Sequence, residues 1–456
     1  MTRDSDTILG DPRRALASMA VPMVVSYLVS QINSFADASW CSGLGIEASS
    51  AVTTISPLHW MMMSAGMGLS IAAMSTIAFC IGAGDRSKAG RLASQLISLT
   101  LVSSLAVSVV AALLLDPVID FMGAGDVREM SKAYMVPFLV MSWAPLTSAV
   151  LAGMIRAEGA ARRSMVLLIS SVALNMVLDP LLIYSFGMGV AGAGWATVVS
   201  SLLPLVLGLS WYMRGSTFAR LSLEGLRPRK DDMRELLDVA VPRAAESMIS
   251  NGSDMIQRVF VIFVAGTAGV AVYSLTWRYV ALAMIPAAAL GSALIPVCSA
   301  AFGQRDPGKA KQGIGYAVRS AMIICSCLSV FIFIFADQLV LPFSYSESME
   351  GLRPLLAWSL RAYCVIIPFY ALIGLGSAIL QTLRMSRKAT SAVLAINAFK
   401  LSLLGVACLH SFEAIFYALI ISNVAGGMLM IAWAHREVER YEGRSLGGTA
   451  VSGDPH

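Results

Sequence analysis

The sequence predicts an all-α integral membrane protein with twelve transmembrane helices, arranged as two six-helix bundles related by a parallel pseudo-two-fold repeat. Three observations indicate this fold class: an apolar composition, regularly spaced charged breaks and an internal repeat. Of the 456 residues, 57% are hydrophobic and 13% charged, and the mean hydropathy is +0.73. Soluble domains carry about 25% charged residues. The composition therefore excludes an ordinary soluble domain.

Charged or Gly/Pro-rich breaks divide the chain into twelve apolar segments. A spanning helix needs about 20 such residues. The segments predicted as helices 1 to 12 are 15–40, 50–81, 92–115, 132–155, 163–185, 191–213, 235–264, 270–301, 312–336, 354–383, 388–409 and 413–434. The residues before the first segment carry charges and no signal-peptide pattern, so we expect helix 1 to direct insertion.

The two halves of the chain share short motifs in register. "AVP" at 20–22 recurs at 240–242, and "GAGDRSKA" at 82–89 matches "GQRDPGKA" at 303–310. Six helices is an even number, so both copies enter the membrane the same way round, which is the geometry of a parallel repeat. We expect an N-lobe over 1–213 with helices 1–6, a solvated cytoplasmic linker over 214–234, and a C-lobe over 235–456 that includes a cytoplasmic tail.

Basic residues mark one side of the membrane. The loops after helices 2, 4, 8 and 10 carry Lys and Arg, whereas the loops after helices 3 and 9 carry acids, including Asp120 and Glu347. Because basic loops stay in the cytoplasm, the pattern predicts cytoplasmic termini. This bias also accounts for the net charge of +5, so the charge does not indicate a nucleic-acid partner.

Polar residues on three helices of the first half lie at a similar predicted depth. At 1.5 Å per residue, Asp37, Asp179 and Thr197 lie about 5, 9 and 10 Å below the outer ends of helices 1, 5 and 6. Asn175, four residues before Asp179, projects from the same helix face. Their oxygens would suit a hard cation such as Na⁺, and two close carboxylates would also favour uptake of a proton.

Each of these residues has a simpler interpretation as well. A threonine in a transmembrane helix usually bonds to its own backbone, and an aspartate before a proline can cap a kink. Ionisable groups at membrane depth are energetically expensive, however, and usually functional. We therefore predict a functional role for Asp37 and Asp179 in particular.

Several motifs together resemble the multidrug and toxic compound extrusion (MATE) family, specifically its archaeal and DNA-damage-inducible-type branch. They are the "GAGD" turn, "LNMVLDPLLIY" in helix 5, "GMGVAGAGWATVVSS" opening helix 6, the helix 1 aspartate and the duplication. The resemblance implies two lobes that export amphiphilic organic compounds by alternating access in exchange for Na⁺ or H⁺. It implies a cation site at Asp37, Asn175, Asp179 and Thr197, a site-linked helix 1 bend at Pro22 and a nearby tyrosine at Tyr134.

The second half differs from the other large branch, whose coupling acids lie in helices 7 and 10. Helix 10 holds no acid between Arg353 and Arg384. The spacings of Arg243 to Glu246 and of Asp254 to Arg258 favour pairs within helix 7. A mean repeat offset of 221 carries Asp37 to Arg258 and Asp179 to Lys400. These positions predict a substrate cleft formed by Glu246, Asp254, Arg258, Arg278 and Lys400. Three bases against two acids give it a net positive charge, suited to zwitterionic or anionic amphiphiles, whereas full neutralisation of the bases would leave it suited to cationic drugs.

The sequence thus predicts a monomeric antiporter of the cell (plasma or inner) membrane, in contact with lipid, that carries small organic substrates. We expect no cofactor other than Na⁺ or H⁺ as coupling ion. A flippase for lipid-linked precursors is the alternative transporter. The scattered cysteines and the four histidines form no ligand or nucleophile set, which argues against an enzyme. Neither the substrate nor the choice between Na⁺ and H⁺ follows from the residues.

Overall fold

The computed structural model describes residues 3–122, 125–222, 224–343 and 350–450, and those ranges are almost entirely helical, without a strand. The all-α prediction is confirmed. The helices of the first half are α1 Arg3–Leu9, α2 Pro12–Ser42, α3 Ile46–Gly82, α4 Arg86–Phe121, α5 Arg128–Met141, α6 Trp143–Ala157, α7 Ala161–Pro180, α8 Gly189–Ser200 and α9 Leu202–Met213. Those of the second half are α10 Lys230–Gly303, α11 Pro307–Ile334, α12 Ala336–Val340, α13 Arg353–Thr382, α14 Ser386–Ala407 and α15 Phe412–Ala450.

Ten helices within the described ranges are long and apolar enough to span a membrane, and the bent pair of α5 and α6 provides an eleventh span. Predicted helices 7 and 8 both lie inside α10. They are separated at Gly266, where the backbone leaves the helical conformation (φ 58°, ψ −156°). The part of α10 after this break passes the same test. The part before it holds Asp254 and Arg258 among other polar residues. The twelve predicted segments thus correspond to α2 through α15, with helices 7 and 8 joined in α10.

Two predicted segments differ from the structure in shape. Predicted helix 4, residues 132–155, is bent by 57° between α5 and α6. Pro145 explains the break, because it has no N–H to donate to the carbonyl of Met141, the last residue of α5. Predicted helix 12 was expected to end at 434, but α15 continues to Ala450.

The repeated "GAGD" and "GQRD" motifs form the same local structure in both halves. Asp85 caps α4 by accepting the backbone N–H of Lys88 (2.8 Å), and Asp306 caps α11 by accepting that of Lys309 (2.9 Å). Aspartate is a favoured N-cap because its carboxylate satisfies a free N–H of the first turn. The repeat therefore encodes one turn and one helix start twice.

The two halves contact each other reciprocally at the end of the bundle that carries these caps, here called the basic end. A Cβ on Gly82 would lie 2.0 Å from the carbonyl oxygen of Ala300, and one on Gly303 would lie 2.2 Å from that of Phe79. Gly82 and Gly303, like Phe79 and Ala300, are 221 residues apart. Such a mutual exchange of contacts is what a two-fold axis produces, so the axis passes through this glycine contact.

Ion pairs reinforce the basic end. Glu235 at the start of α10 binds Lys88 of the first half (2.8 Å) and Arg384 of the second (2.5 Å). Asp232 lies 3.5 Å from Arg91 of the first half. Since these pairs join α4 to α10, the two halves are closed against each other at this end.

The segment between the halves is buried near its start and exposed over most of its remaining length. Thr217, Phe218 and Ala219 are buried. Glu158, just after α6, accepts the backbone N–H groups of Phe218 (2.7 Å) and Ala219 (3.1 Å). The expectation of a solvated linker over 214–234 is therefore corrected at 217–219, because Glu158 supplies acceptors that bind this backbone to the first half. Helix α10 already begins at Lys230.

Candidate functional site

Asp37 of α2 and Asp179 of α7 meet inside the first half. Their carboxyl groups lie within hydrogen-bonding distance of each other. Buried oxygens on both residues, Oδ1 of Asp37 and Oδ2 of Asp179, have no hydrogen-bond donor in the described part of the chain. Two ionised carboxylates in contact repel each other, so a proton or a cation between them would lower the energy of the pair.

An amide accompanies each carboxylate. Asn175 donates to Oδ1 of Asp179 (3.3 Å), and Asn33 donates to Oδ2 of Asp37 (3.1 Å). The Oδ1 atoms of both asparagines are also buried without a donor. Our sequence interpretation missed Asn33, although its spacing to Asp37 repeats the Asn-x-x-x-Asp pattern of helix 5. The cluster thus presents four acceptor oxygens without donors.

Thr197 of α8 makes the backbone hydrogen bond of the simpler interpretation and also lies at the candidate site. Its hydroxyl donates to the carbonyl of Ala193 (3.0 Å), which is the backbone bond typical of threonine in such helices. The residue nevertheless lines the same cavity as Asn33 and Asn175. Its oxygen can still accept a bond or bind a cation there.

Tyr134 of α5 lies beside the aspartates, whereas Pro22 lies far from them. The tyrosine is close enough to Asp37 and Asp179 to sense their charge and packs with buried Cys41 in a small apolar cluster. It is therefore an internal residue and not an interfacial anchor. Helix α2 runs unbroken through buried Pro22, about 22 Å along the helix from Asp37 at 1.5 Å per residue.

The glycine-rich start of α8 explains how these helices approach each other. A Cβ on Gly194 would lie 2.5 Å from the carbonyl oxygen of Tyr134, a distance that no side chain tolerates. Glycine at this position lets α8 pack directly on the backbone of α5. This close packing brings α8, which carries Thr197, against α5, which carries Tyr134.

A cavity of about 280 Å³ extends from the cluster through the first half, between α2, α6, α7 and α8. Asn33, Asn175 and Thr197 line one end of it, and Arg156 and Ser164 line the other. Pockets that bind small molecules are commonly of this size or larger, with a few convergent polar groups.

The second half pairs its charges differently from our prediction. Arg243 lies 3.5 Å from Glu246, as the spacing predicts. Asp254, however, lies 3.9 Å from Lys400 of α14 and does not pair with Arg258. A buried ammonium group needs a counter-charge, and Asp254 provides it across the helix interface.

The remaining predicted cleft residue, Arg278 of α10, contacts the first half. Its guanidinium lies 5.2 Å from the ring centre of Phe35 in α2, within the range of a cation–π interaction. Within the described ranges, neither Arg278 nor exposed Arg258 has an acid at ion-pair distance. The five predicted residues therefore form separate contacts rather than one cluster.

Comparison with known proteins identifies the fold and the family. The MatE family model matches residues 22–181 and 242–408, one match in each half and together more than half of the chain. The chain is 23% identical to the multidrug export protein MepA of Staphylococcus aureus (strain bovine RF122 / ET3-1) over 74% of each chain. It is 24% identical to the FAD transporter of Shewanella oneidensis over 96% of this chain and 98% of that protein.

A solved structure described as the outward-facing conformation of a multidrug resistance MATE family transporter superposes with a TM-score of 0.91. It is 25% identical and covers 96% of this chain and 99% of that one. A duplicated bundle of apolar helices with this likeness is a multi-pass membrane transporter, not an enzyme. The chain belongs to the MatE family, and its two six-helix halves are the two repeats of that family.

Proposed function

We propose that this protein exports amphiphilic organic compounds in exchange for Na⁺ or H⁺ bound at Asp37, Asn175, Asp179 and Thr197. The observation that carries the proposal is the contact of Asp37 with Asp179 beside acceptor oxygens that lack donors. Such a cluster binds a positive charge more readily than it stays empty, because the charge removes the repulsion between the carboxylates.

Both candidate coupling ions suit the cluster chemically. A proton shared between Asp37 and Asp179 would supply the missing donor to their facing oxygens. Na⁺ would instead bind carboxylate oxygens together with the amide oxygens of Asn33 and Asn175 and the hydroxyl oxygen of Thr197. Hard cations favour such all-oxygen sites. Either ion neutralises the same carboxylates, so the two ions would compete.

Alternating access is the mechanism that fits this fold. The halves are closed at the basic end by the Gly82 and Gly303 contact and by the ion pairs of Glu235. The carboxylates lie near the last turns of α2 and α7, toward the opposite end. We infer that this conformation gives the cluster access from the opposite side, and that transport requires the basic end to open. Parallel repeats support such rocking of one bundle against the other.

The positive-inside rule gives the proposed orientation. The basic end would face the cytoplasm together with both termini, and the 1–213 and 235–456 lobes would move as units in the cell membrane. We propose a monomer, since each chain holds both bundles and a complete cluster. The N-lobe cluster also supports the archaeal and DNA-damage-inducible-type branch over the branch that couples through the C-lobe.

The substrate class rests on relatives and on the cavity. One relative is named a multidrug export protein and another an FAD transporter. The first name supports amphiphilic drugs as substrates, and the second names FAD as the compound transported by that relative. A cavity of about 280 Å³ suits a small amphiphile.

Transport into proteoliposomes tests the proposal. The purified protein would be reconstituted and uptake of a fluorescent organic dye followed under an imposed Na⁺ gradient and, separately, an imposed pH gradient. We expect one gradient to drive uptake and Asp179→Asn to abolish it. Undiminished gradient-driven uptake by Asp179→Asn would disprove the coupling site.

A further inference from the structure

Arg156 lies at the end of the N-lobe cavity opposite to the acidic cluster. Its guanidinium donates to Ser70 of α3 (3.1 Å), to Ser164 of α7 (3.2 Å) and to the sulfur of Met74 (3.4 Å). All three partners are neutral. No carboxylate of the described residues lies at ion-pair distance from Arg156, whereas Lys88, Arg91 and Arg384 at the basic end each have an acidic partner.

A cation in such a position is costly unless an anion compensates it. Removing a guanidinium from water without a counter-charge is unfavourable, and hydroxyl groups compensate only in part. The guanidinium of Arg156 lines the cavity, where a bound anion could reach it. The positive charge of Arg156 therefore indicates that the cavity receives a negative group.

Hydroxyl groups continue from Arg156 along the cavity wall. Ser26, Ser148, Ser171, Ser200 and Ser201 line it between the arginine and the asparagines. Ser164 and Asn175 are eleven residues apart on α7, which corresponds to about 16 Å. A molecule lying along this path would contact Arg156 at one end and the acceptor-rich cluster at the other.

We propose that Arg156 binds the carboxylate or phosphate group of a small organic substrate in the N-lobe cavity. Guanidinium binds such groups with two parallel N–H bonds. The uncharged or cationic part of the same molecule extends along the serines toward Asn33 and Asn175. The inference rests on the proposed function and narrows its substrate class to anionic and zwitterionic amphiphiles.

The test uses two probes with the same fluorophore, one anionic and one neutral: diethylaminocoumarin carboxylate and its ethyl ester. Binding of each is measured by fluorescence to the full protein in phosphatidylcholine nanodiscs. We expect Arg156→Gln to weaken the acid about tenfold, the loss typical of a bond to a charged group, and to leave the ester unchanged. Arg156→Lys should restore part of the acid affinity. Arg162→Gln, which removes an exposed charge nearby, is the matched control.

Three outcomes would overturn the inference. One is equal loss of acid and ester in Arg156→Gln, which a purely structural role predicts. Another is acid binding that Arg156→Gln leaves intact. The third is Arg156-dependent displacement of the acid by phosphatidylglycerol in the nanodisc or by inorganic phosphate alone, which would assign the arginine to a lipid headgroup or a simple ion.

The same variants separate this inference from the proposed antiport. If Arg156→Gln folds poorly, the ratio of acid to ester affinity is measured in Arg156→Lys instead. That variant keeps a charge but loses the paired N–H geometry. An unchanged ratio would count against the inference. If neither gradient drives transport by the wild type, but the wild type still binds the acid through Arg156, only the antiport is refuted. Ester transport with no Arg156-dependent acid binding would refute only the subsite.

Discussion

Asn33 donates a hydrogen bond to the carboxylate of Asp37 from one helical turn earlier in α2. The same amide-to-acid bond occurs in α7, so each helix brings a ready-made pair of side chains to the cluster. When the side-chain amide of an asparagine donates to the neighbouring carboxylate, its own oxygen points away from that carboxylate. Both amide oxygens here are buried and lack donors, which makes Asn33 a member of the candidate site and not a neighbour of it.

Substitutions in the cluster should therefore reduce gradient-driven transport by two different amounts. We expect Asp37→Asn to abolish gradient-driven dye transport while the protein still folds, because it removes the charge that the coupling ion neutralises. Asn33→Leu and Asn175→Leu should lower the initial rate about tenfold, the effect of one lost bond to a charged group. Asn397→Leu is the control: this buried amide of the C-lobe donates to the backbone carbonyl of Val393. Equal loss in the control would show a general packing effect.

The ion pairs of Glu235 should set the balance between the two conformations. Glu235→Gln weakens contacts to Lys88 and Arg384 that hold the basic end closed. Partly exposed pairs contribute about 1 kcal/mol, so the open population should rise about fivefold. Spin labels on exposed Ser87 and Arg305, one in each half, would report longer distances by electron double resonance. An unchanged distance distribution would show that the pairs do not hold the closure.

Glu158 should make stability depend on pH. Burial raises the pKa of this carboxyl from 4.5 to about 7, so the folded protein holds its proton at pH values where the unfolded chain has lost it. The resulting stabilisation is complete below about pH 4.5 and is lost as the pH rises through about 7. It contributes at most about 3 kcal/mol to the free energy of unfolding. The melting temperature of the wild type should fall relative to Glu158→Gln across this window. Parallel curves would contradict the prediction.

Topology can be tested from both sides of the membrane. In right-side-out vesicles, a cysteine at Asp120 should react with an impermeant maleimide added outside. In inverted vesicles, trypsin should cut at exposed Arg229 or Lys230. Reaction of the cysteine only from the inside would reverse the orientation. The matching position Glu347 in the second half lies outside the described residues.

Lys400 provides a test of charge preference in the C-lobe. Because it neutralises Asp254 at 3.9 Å, Lys400→Met should leave that carboxylate free and favour cationic over anionic dyes. We expect the ratio of anionic to cationic dye affinity to fall about tenfold. Tighter wild-type binding of the cationic dye, unchanged in Lys400→Met, would refute a positive C-lobe wall.

The sequence predicted the fold because composition and helix-length breaks are properties of the whole chain. It predicted the meeting of Asp37 and Asp179 because depth in a membrane follows from counting residues along a helix. Which side chains of two neighbouring helices face each other does not follow from such counting. The partner of Asp254 lies on another helix, and periodicity within α10 favoured Arg258 instead. Likewise, both ion-pair partners of Glu235 and two of the three partners of Arg156, Ser70 and Met74, lie more than 80 residues away in the sequence.

Asn33 was predictable in principle, since its spacing to Asp37 repeats that of Asn175 to Asp179. The bend between α5 and α6 was also encoded, by Pro145, but proline alone does not distinguish a kink from a continuous helix. Helix α2 passes through Pro22 without interruption. Which outcome occurs depends on packing against neighbouring helices, which the local sequence does not contain.

The reciprocal contact of Gly82 and Gly303 ties the two repeats together at one point. A Cβ on Gly82 would meet the carbonyl of Ala300, and one on Gly303 would meet that of Phe79, so a side chain at either position would force the two halves apart there. Elsewhere the repeats tolerate opposite chemistry, since Asp179 of the first half corresponds to Lys400 of the second. Sequence change is thus constrained where the halves touch each other and free where they do not.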